Sequence, residues 1–148
     1  MNLPTLILGL PLAGFLVALL VPRSSPKGSR VWALAISLAT FAASLALPVV
    51  FDRGVPGEQL TLDVPWIATP HIHYHVAADG VSLWLVLLST FLTPICVLIS
   101  WRSIENRVKE FFAFLLLLEF GLVGVFLAQD LFLFYVFWEV SLVPMYFL

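Results

Sequence analysis

The chain has 148 residues, the length of one soluble domain, yet 61% of them are hydrophobic, against roughly 45–50% in an ordinary globular protein. Its mean hydropathy of +1.07 makes lipid the solvent for most of it. Seven Lys and Arg against nine Asp and Glu leave a net charge of −2 and no basic stripe for nucleic-acid phosphates, and a lone cysteine, Cys96, excludes an intrachain disulfide or a Cys-x-x-Cys site.

A bilayer core about 30 Å thick needs roughly 17–25 apolar residues of helix. Five stretches qualify: 3–21, 31–51, 81–101, 111–128 and 131–148. They predict an all-α integral membrane protein with five transmembrane helices in a single membrane domain over 1–148. The first stretch lacks a basic flank and a small-residue cleavage site, so it reads as a retained span and not a signal peptide. The connection 22–30 is rich in Pro, Ser and Gly and reads as a loop that cannot continue a helix. The connection 102–110 can, because Glu105 and Lys109 stand in the favourable i,i+4 order. Pro48, Pro94 and Pro144 each remove one amide donor inside a span and free the carbonyl four residues earlier, which membrane helices tolerate when neighbours re-satisfy it. Cys96 reads as a buried thiol packed as a small hydrophobe.

Orientation is read from the basic residues. Arg23, Lys27 and Arg30 lie in the first connection and Arg102, Arg107 and Lys109 in the third, with only Arg53 on the other side. The positive-inside rule then sets the N-terminus outside and the C-terminus inside. The outer connection 52–80 carries two period-2 stretches. Leu60, Leu62 and Val64 alternate with Thr61 and Asp63, and Ile72, Tyr74 and Val76 alternate with His71, His73 and His75. Two short strands joined through 65–70 predict a surface hairpin. The three histidines form its wet face in the plainer reading and a Zn or Cu site in the bolder one. Asp79, followed by Gly80 and Ser82, has the pattern of an N-cap for the third span. Gly121 and Gly124 read as close-packing positions.

Two ionisable residues lie deep inside spans, Glu119 and Glu139. A charge at a helix centre costs around 2.5–3.5 kcal/mol on insertion scales, and such residues usually face a bundle interior or a water path. Counting from the outer turn at 1.5 Å per residue puts both roughly 13–15 Å down, near the midplane and at matched depth. Tyr135 and Tyr146 fall on the Glu139 face as candidate hydrogen-bond partners. A buried carboxyl with no cation nearby stays neutral and proton-loaded, and a lysine brought close would draw that proton off. No span here contains Lys or Arg, so such a cation must come from elsewhere. For Glu119, a proton relay and a structural acid bonded to a neighbouring helix are both open.

The segments 79–84 (DGVSLW), 104–110 (IENRVKE) and above all 130–139 (DLFLFYVFWE), continuing to Pro144-Met145-Tyr146, resemble the chain-M family of antiporter-like membrane subunits in the proton-pumping NADH:quinone oxidoreductase, respiratory complex I. The resemblance covers the whole chain and implies the N-terminal part of a longer many-helix domain. It implies that Glu139 is a principal proton-pathway residue working with a lysine on a later helix, and it assigns Glu119 no definite role. It further implies that the chain binds no cofactor or metal itself. NADH, flavin, iron–sulfur clusters and quinone would belong to partner subunits, in keeping with the lack of a Rossmann fingerprint and of clustered cysteines. The partners implied are other membrane-arm subunits and the bilayer of a bacterial inner membrane. Alternative readings are a subunit of the homologous multisubunit cation/proton antiporter and a non-catalytic membrane scaffold.

Overall fold

The computed structural model describes every residue except Met1, Val21, Arg23, Arg53 and Pro70. Two of the basic residues used for orientation, one helix end and one hairpin residue therefore lie outside the described residues. The element order is α1 (Leu3–Leu20), α2 (Pro26–Ser44), α3 (Leu47–Val50), β1 (Gln59–Ile67), β2 (Ile72–Ala78), α4 (Ser82–Ser103), α5 (Val108–Leu127) and α6 (Leu131–Phe147). Among the described residues, four helical stretches are long and apolar enough to cross a membrane: α1, Pro26–Val50 (α2 with α3), α4 and α5. The fifth expected helix is present as α6. Its 17 residues span about 25 Å, a little short of the roughly 30 Å core.

The boundaries depart from the sequence reading in two instructive places. The helix expected to begin at 31 begins at Pro26, since proline at the first helical position gives up only an amide that has no partner there anyway. The helix-compatible link 102–110 is broken. α4 ends at Ser103, Arg107 takes a left-handed φ of 50°, and α5 starts afresh at Val108. Long-range bonds favour the break. Lys109 Nζ donates to the Leu19 carbonyl at the end of α1 (2.6 Å) in place of an exposed pair with Glu105. Arg30 Nη2 donates to the Ile104 carbonyl (2.9 Å). Both bonds put cations on helix C-terminal carbonyls, where the macrodipole welcomes them.

α5 is the central helix, packing against α1, α2, α4 and α6, while α6 leans chiefly on α5 and touches β2. One apolar cluster, including Ile7, Leu47, Val86, Val123 and Phe137, fills the hairpin half of the bundle. A second, around Val97, Phe112 and Leu116, fills the other half. Cys96 is exposed, correcting the expectation of a buried thiol. The buried stripe of α4 runs through Leu83, Val86, Thr90, Pro94 and Val97, and Cys96 falls off it.

The expected hairpin is present, antiparallel, with Leu62 opposite Val76 and Val64 opposite Tyr74. Its first strand runs on through Pro65 to Ile67, so Pro65 is not part of the turn. Proline is accepted there because β1 is an edge strand with no further ladder to serve. On the other edge of β2, Val76 forms a bridge with Ala128, and Gln129 N donates to the His75 carbonyl (2.9 Å). The α5–α6 turn is thereby stitched to the hairpin. Asn2 Nδ2 adds a tie from the start of α1 to the Thr61 carbonyl (3.1 Å).

Candidate functional site

The α5–α6 pair presents both deep acids, and its closeness follows from small residues. A Cβ added at Gly121 would meet the Ser141 Cβ at 2.9 Å and its Cα at 3.0 Å, and one added at Gly124 would overlap the Phe137 ring. These glycines are the close-packing positions that the sequence indicates. They also fix the register. With Gly121 across from Ser141 and Gly124 across from Phe137, Glu139 is level with residues 122–123 and Glu119 with 142–143. The expectation of matched depth is thus corrected by about one turn, roughly 5 Å.

At α6 the buried stripe is Leu133, Phe137, Ser141 and Pro144. Glu139 stands two residues, some 200°, from Phe137, and is exposed, facing away from α5. Tyr135, one turn earlier, interacts with the Glu139 carboxyl and is likewise exposed, as is Tyr146. The acid–tyrosine face predicted from spacing therefore exists, but the described helices do not enclose it. Pro144 sits on the α5 side, away from that face. The start of α6 is well held, because Asp130 accepts amide bonds from Phe132 (2.8 Å) and Leu133 (3.1 Å).

Glu119 has the opposite setting. It stands two residues from Gly121 and so turns from α6 into the bundle, where it is only 1% exposed. The two acids are not brought together. Thr93 of α4 lies beside the Glu119 carboxyl, yet neither carboxyl oxygen has a partner of hydrogen-bond geometry among the described residues. The geometry has a reason: Thr93 Oγ1 already donates its proton to the Ser89 carbonyl (3.0 Å), so it meets Glu119 with lone pairs alone.

At the hairpin end, Asp79 caps α4 as expected. Its Oδ1 accepts from the amides of Ser82 (2.6 Å) and Val81 (2.8 Å), and Ser82 Oγ accepts from the Asp79 amide (2.8 Å). The Ser82 amide above all holds this carboxyl below the ordinary aspartate range. Burial of Tyr74 on the inward hairpin face pushes its phenol up. The histidines are not a uniform wet face. His73 Nδ1 lies 2.7 Å from Asp63 Oδ1, and His75 Nε2 lies 3.2 Å from Glu58 Oε2 but out of line for a hydrogen bond. His71 is in the turn. Among the described residues no group of three or more His, Cys, Asp or Glu is placed to hold a metal ion. The Asp63 and Glu58 partners escaped the sequence reading, although Asp63, in the alternating stretch of the facing strand, was the available signal.

No family model matches the chain. It is 39% identical over 145 residues to the NADH-ubiquinone oxidoreductase chain 4 of Arabidopsis thaliana, an alignment covering 98% of this chain and 29% of that protein. It is 42% identical over 149 residues to the NADH-quinone oxidoreductase subunit M of Rhodobacter capsulatus, covering 98% and 28%. With the chain 4 of Chondrus crispus it shares 39% identity over 136 residues, covering 92% and 28%. The chain is a homologue of these proteins and spans less than a third of their length.

Proposed function

We propose, from that homology, that this chain is a segment of a proton-translocating membrane subunit of a respiratory NADH:quinone oxidoreductase, and that Glu139 carries a proton on its path. One observation bears most weight: a mid-helix carboxyl and its tyrosine partner occupy the face of α6 that turns from α5. Left to acyl tails, a charge there costs around 2.5–3.5 kcal/mol. Protein or water must therefore cover the face, and the greater length of the relatives is the natural source of that cover. A cation arriving on the covering element would draw the proton from Glu139, and its withdrawal would let the proton return. Tyr135 and, further along, Tyr146 serve as hydrogen-bond supports. Redox cofactors and quinone belong in this reading to partner subunits, which together with lipid are the chain's partners.

The clustering of Lys27, Arg30, Arg102, Arg107 and Lys109 at the end of the bundle opposite the hairpin supports an outward hairpin. The Rhodobacter capsulatus relative supports a bacterial plasma membrane. The test is Glu139→Gln in the full-length subunit within the intact enzyme. NADH-driven proton uptake into sealed vesicles should fall by about tenfold or more, on the scale of a lost acid–base group, with subunit content unchanged. Wild-type proton translocation in that variant would refute the assignment.

A further inference from the structure

Glu119 is not used by the reading above, and its surroundings point to a role of their own. α2 buries an unusual stripe for a lipid-solvated helix, made of Ser37, Thr40 and Ser44, and Ser44 meets Thr90 of α4, with Thr93 one turn further along the buried stripe of that helix. Each hydroxyl lies back on its own helix: Ser37 Oγ donates to Leu34, Thr40 to Ile36 and Thr93 to Ser89, and Ser44 and Thr90 lie within reach of the Phe41 and Val86 carbonyls. Ser37, Thr40 and Thr93 thereby spend their protons and keep their lone pairs, while either Ser44 or Thr90 can supply the one hydrogen that passes between them. Ser44 Oγ and Thr90 Oγ1 touch across the helices at 2.7 Å with both residues wholly buried. The two prolines add to this locus. Pro48 and Pro94 have no amide hydrogen to return to the carbonyls four residues earlier, and those carbonyls belong to Ser44 and Thr90 themselves.

Two helices are thus opened at the same point of contact, one turn along from Thr93 and the unpartnered carboxyl of Glu119. The seam is rich in acceptors and poor in donors. Two lone-pair groups face each other at Thr93 and Glu119, and only a hydrogen between them makes that contact favourable, since a buried acceptor left unpaired is costly.

We propose that Glu119 is a second proton-holding site, in which its carboxyl donates to Thr93 and exchanges that hydrogen with water bound along the Ser44–Thr90 seam. The exchange passes the O–H hydrogen to a water oxygen and takes one back from the same chain of waters, so no other bond changes. Its activity readout rests on the assembly being a proton translocator but not on the role of Glu139. The site lies in the α2–α4–α5 interior, whereas Glu139 is on the outer face of α6.

The experiment uses the intact enzyme in sealed vesicles with Glu119→Gln, Glu119→Leu and Thr93→Val, and Glu139→Gln alongside. Infrared difference spectra in H2O and D2O should contain a protonated-carboxyl C=O band that Glu119→Gln abolishes and Thr93→Val shifts. Proton translocation should fall by roughly tenfold in Glu119→Gln and Glu119→Leu and by less in Thr93→Val, with uncoupled quinone reduction retained. A purely structural acid predicts instead that the leucine variant translocates protons as the wild type does, and that result overturns the proposal. So does an unchanged band in Glu119→Gln. If the leucine variant fails to assemble, the two shape-preserving variants decide through the band and the rate. An inert Glu139→Gln beside impaired Glu119 variants removes the reading of Glu139 and leaves this one standing, and the converse removes this one alone.

Discussion

Replacing Gly121 with alanine tests whether the α5–α6 contact is as tight as the geometry makes it. The new methyl would stand 2.9 Å from Ser141 Cβ, 3.0 Å from its Cα and 3.1 Å from its amide nitrogen. Two of those three atoms are backbone, so no rotamer change relieves the clash, and α6 itself must move. Overpacking of this kind costs about 1–3 kcal/mol. It is offset by about 0.5–1 kcal/mol, because alanine is the better residue in a helix interior. Gly9 of α1 supplies the control, with nothing within 4 Å of its virtual Cβ. Gly9→Ala should gain the helix term alone, and the difference between the two variants isolates the overpacking at about 1–3 kcal/mol. Thermal unfolding of the full-length subunit in detergent, read by helical circular dichroism, reports both. Because α6 leans on little besides α5, Gly121→Ala should also displace Glu139 and lower proton translocation, whereas Gly9→Ala should not. Equal melting temperatures for the two variants would show that the helices are not in contact at Ser141, and the register derived for the two acids would fall with it.

Asp130→Ala removes the acceptor for two amides at the start of α6 and should cost about 1 kcal/mol. Asp130→Asn should recover much of it, as amide exchange at Phe132 and Leu133 would register. A double-mutant cycle on Ser44→Ala and Thr90→Val, which removes the 2.7 Å contact, should give a coupling of about 0.6 kcal/mol, the average for polar pairs in membranes. A coupling of zero would deny the contact. For Asp79 the folded carboxyl sits below its ordinary range. Its contribution is therefore complete at pH values above the unfolded range and is lost as pH falls through the lowered folded value. Melting curves taken on acidification should show this loss, and Asp79→Asn should flatten it.

The spans were legible because lipid leaves a chain so few options: twenty apolar residues in a row have to be a helix. Cap chemistry was legible for the same local reason, as Asp79 shows. What could not be read were contacts set by distant sequence. Lys109 is four residues from Glu105 but is claimed by the Leu19 carbonyl ninety residues away, and that choice breaks the helix that local pairing allows. The exposure of Cys96 and the side to which Glu139 turns are hidden from the sequence for a related reason. In a helix apolar on every side, periodicity does not say which face meets protein, and only the glycine contacts of α5 turn Glu139 outward and Glu119 inward. The seam was hidden in plain view. Serines and threonines in a span look innocuous one at a time, and their alignment with Pro48 and Pro94 emerges only when α2 lies against α4.

The Gln129 amide, given to the His75 carbonyl, makes the bend joining α5 to α6 a third, one-bond strand of the hairpin. A bend of this sort at a membrane surface would ordinarily be the first place for deuterium to enter or a protease to cut. Here it is a clasped corner, so a force applied to the hairpin passes through that bond to the helices bearing both acids.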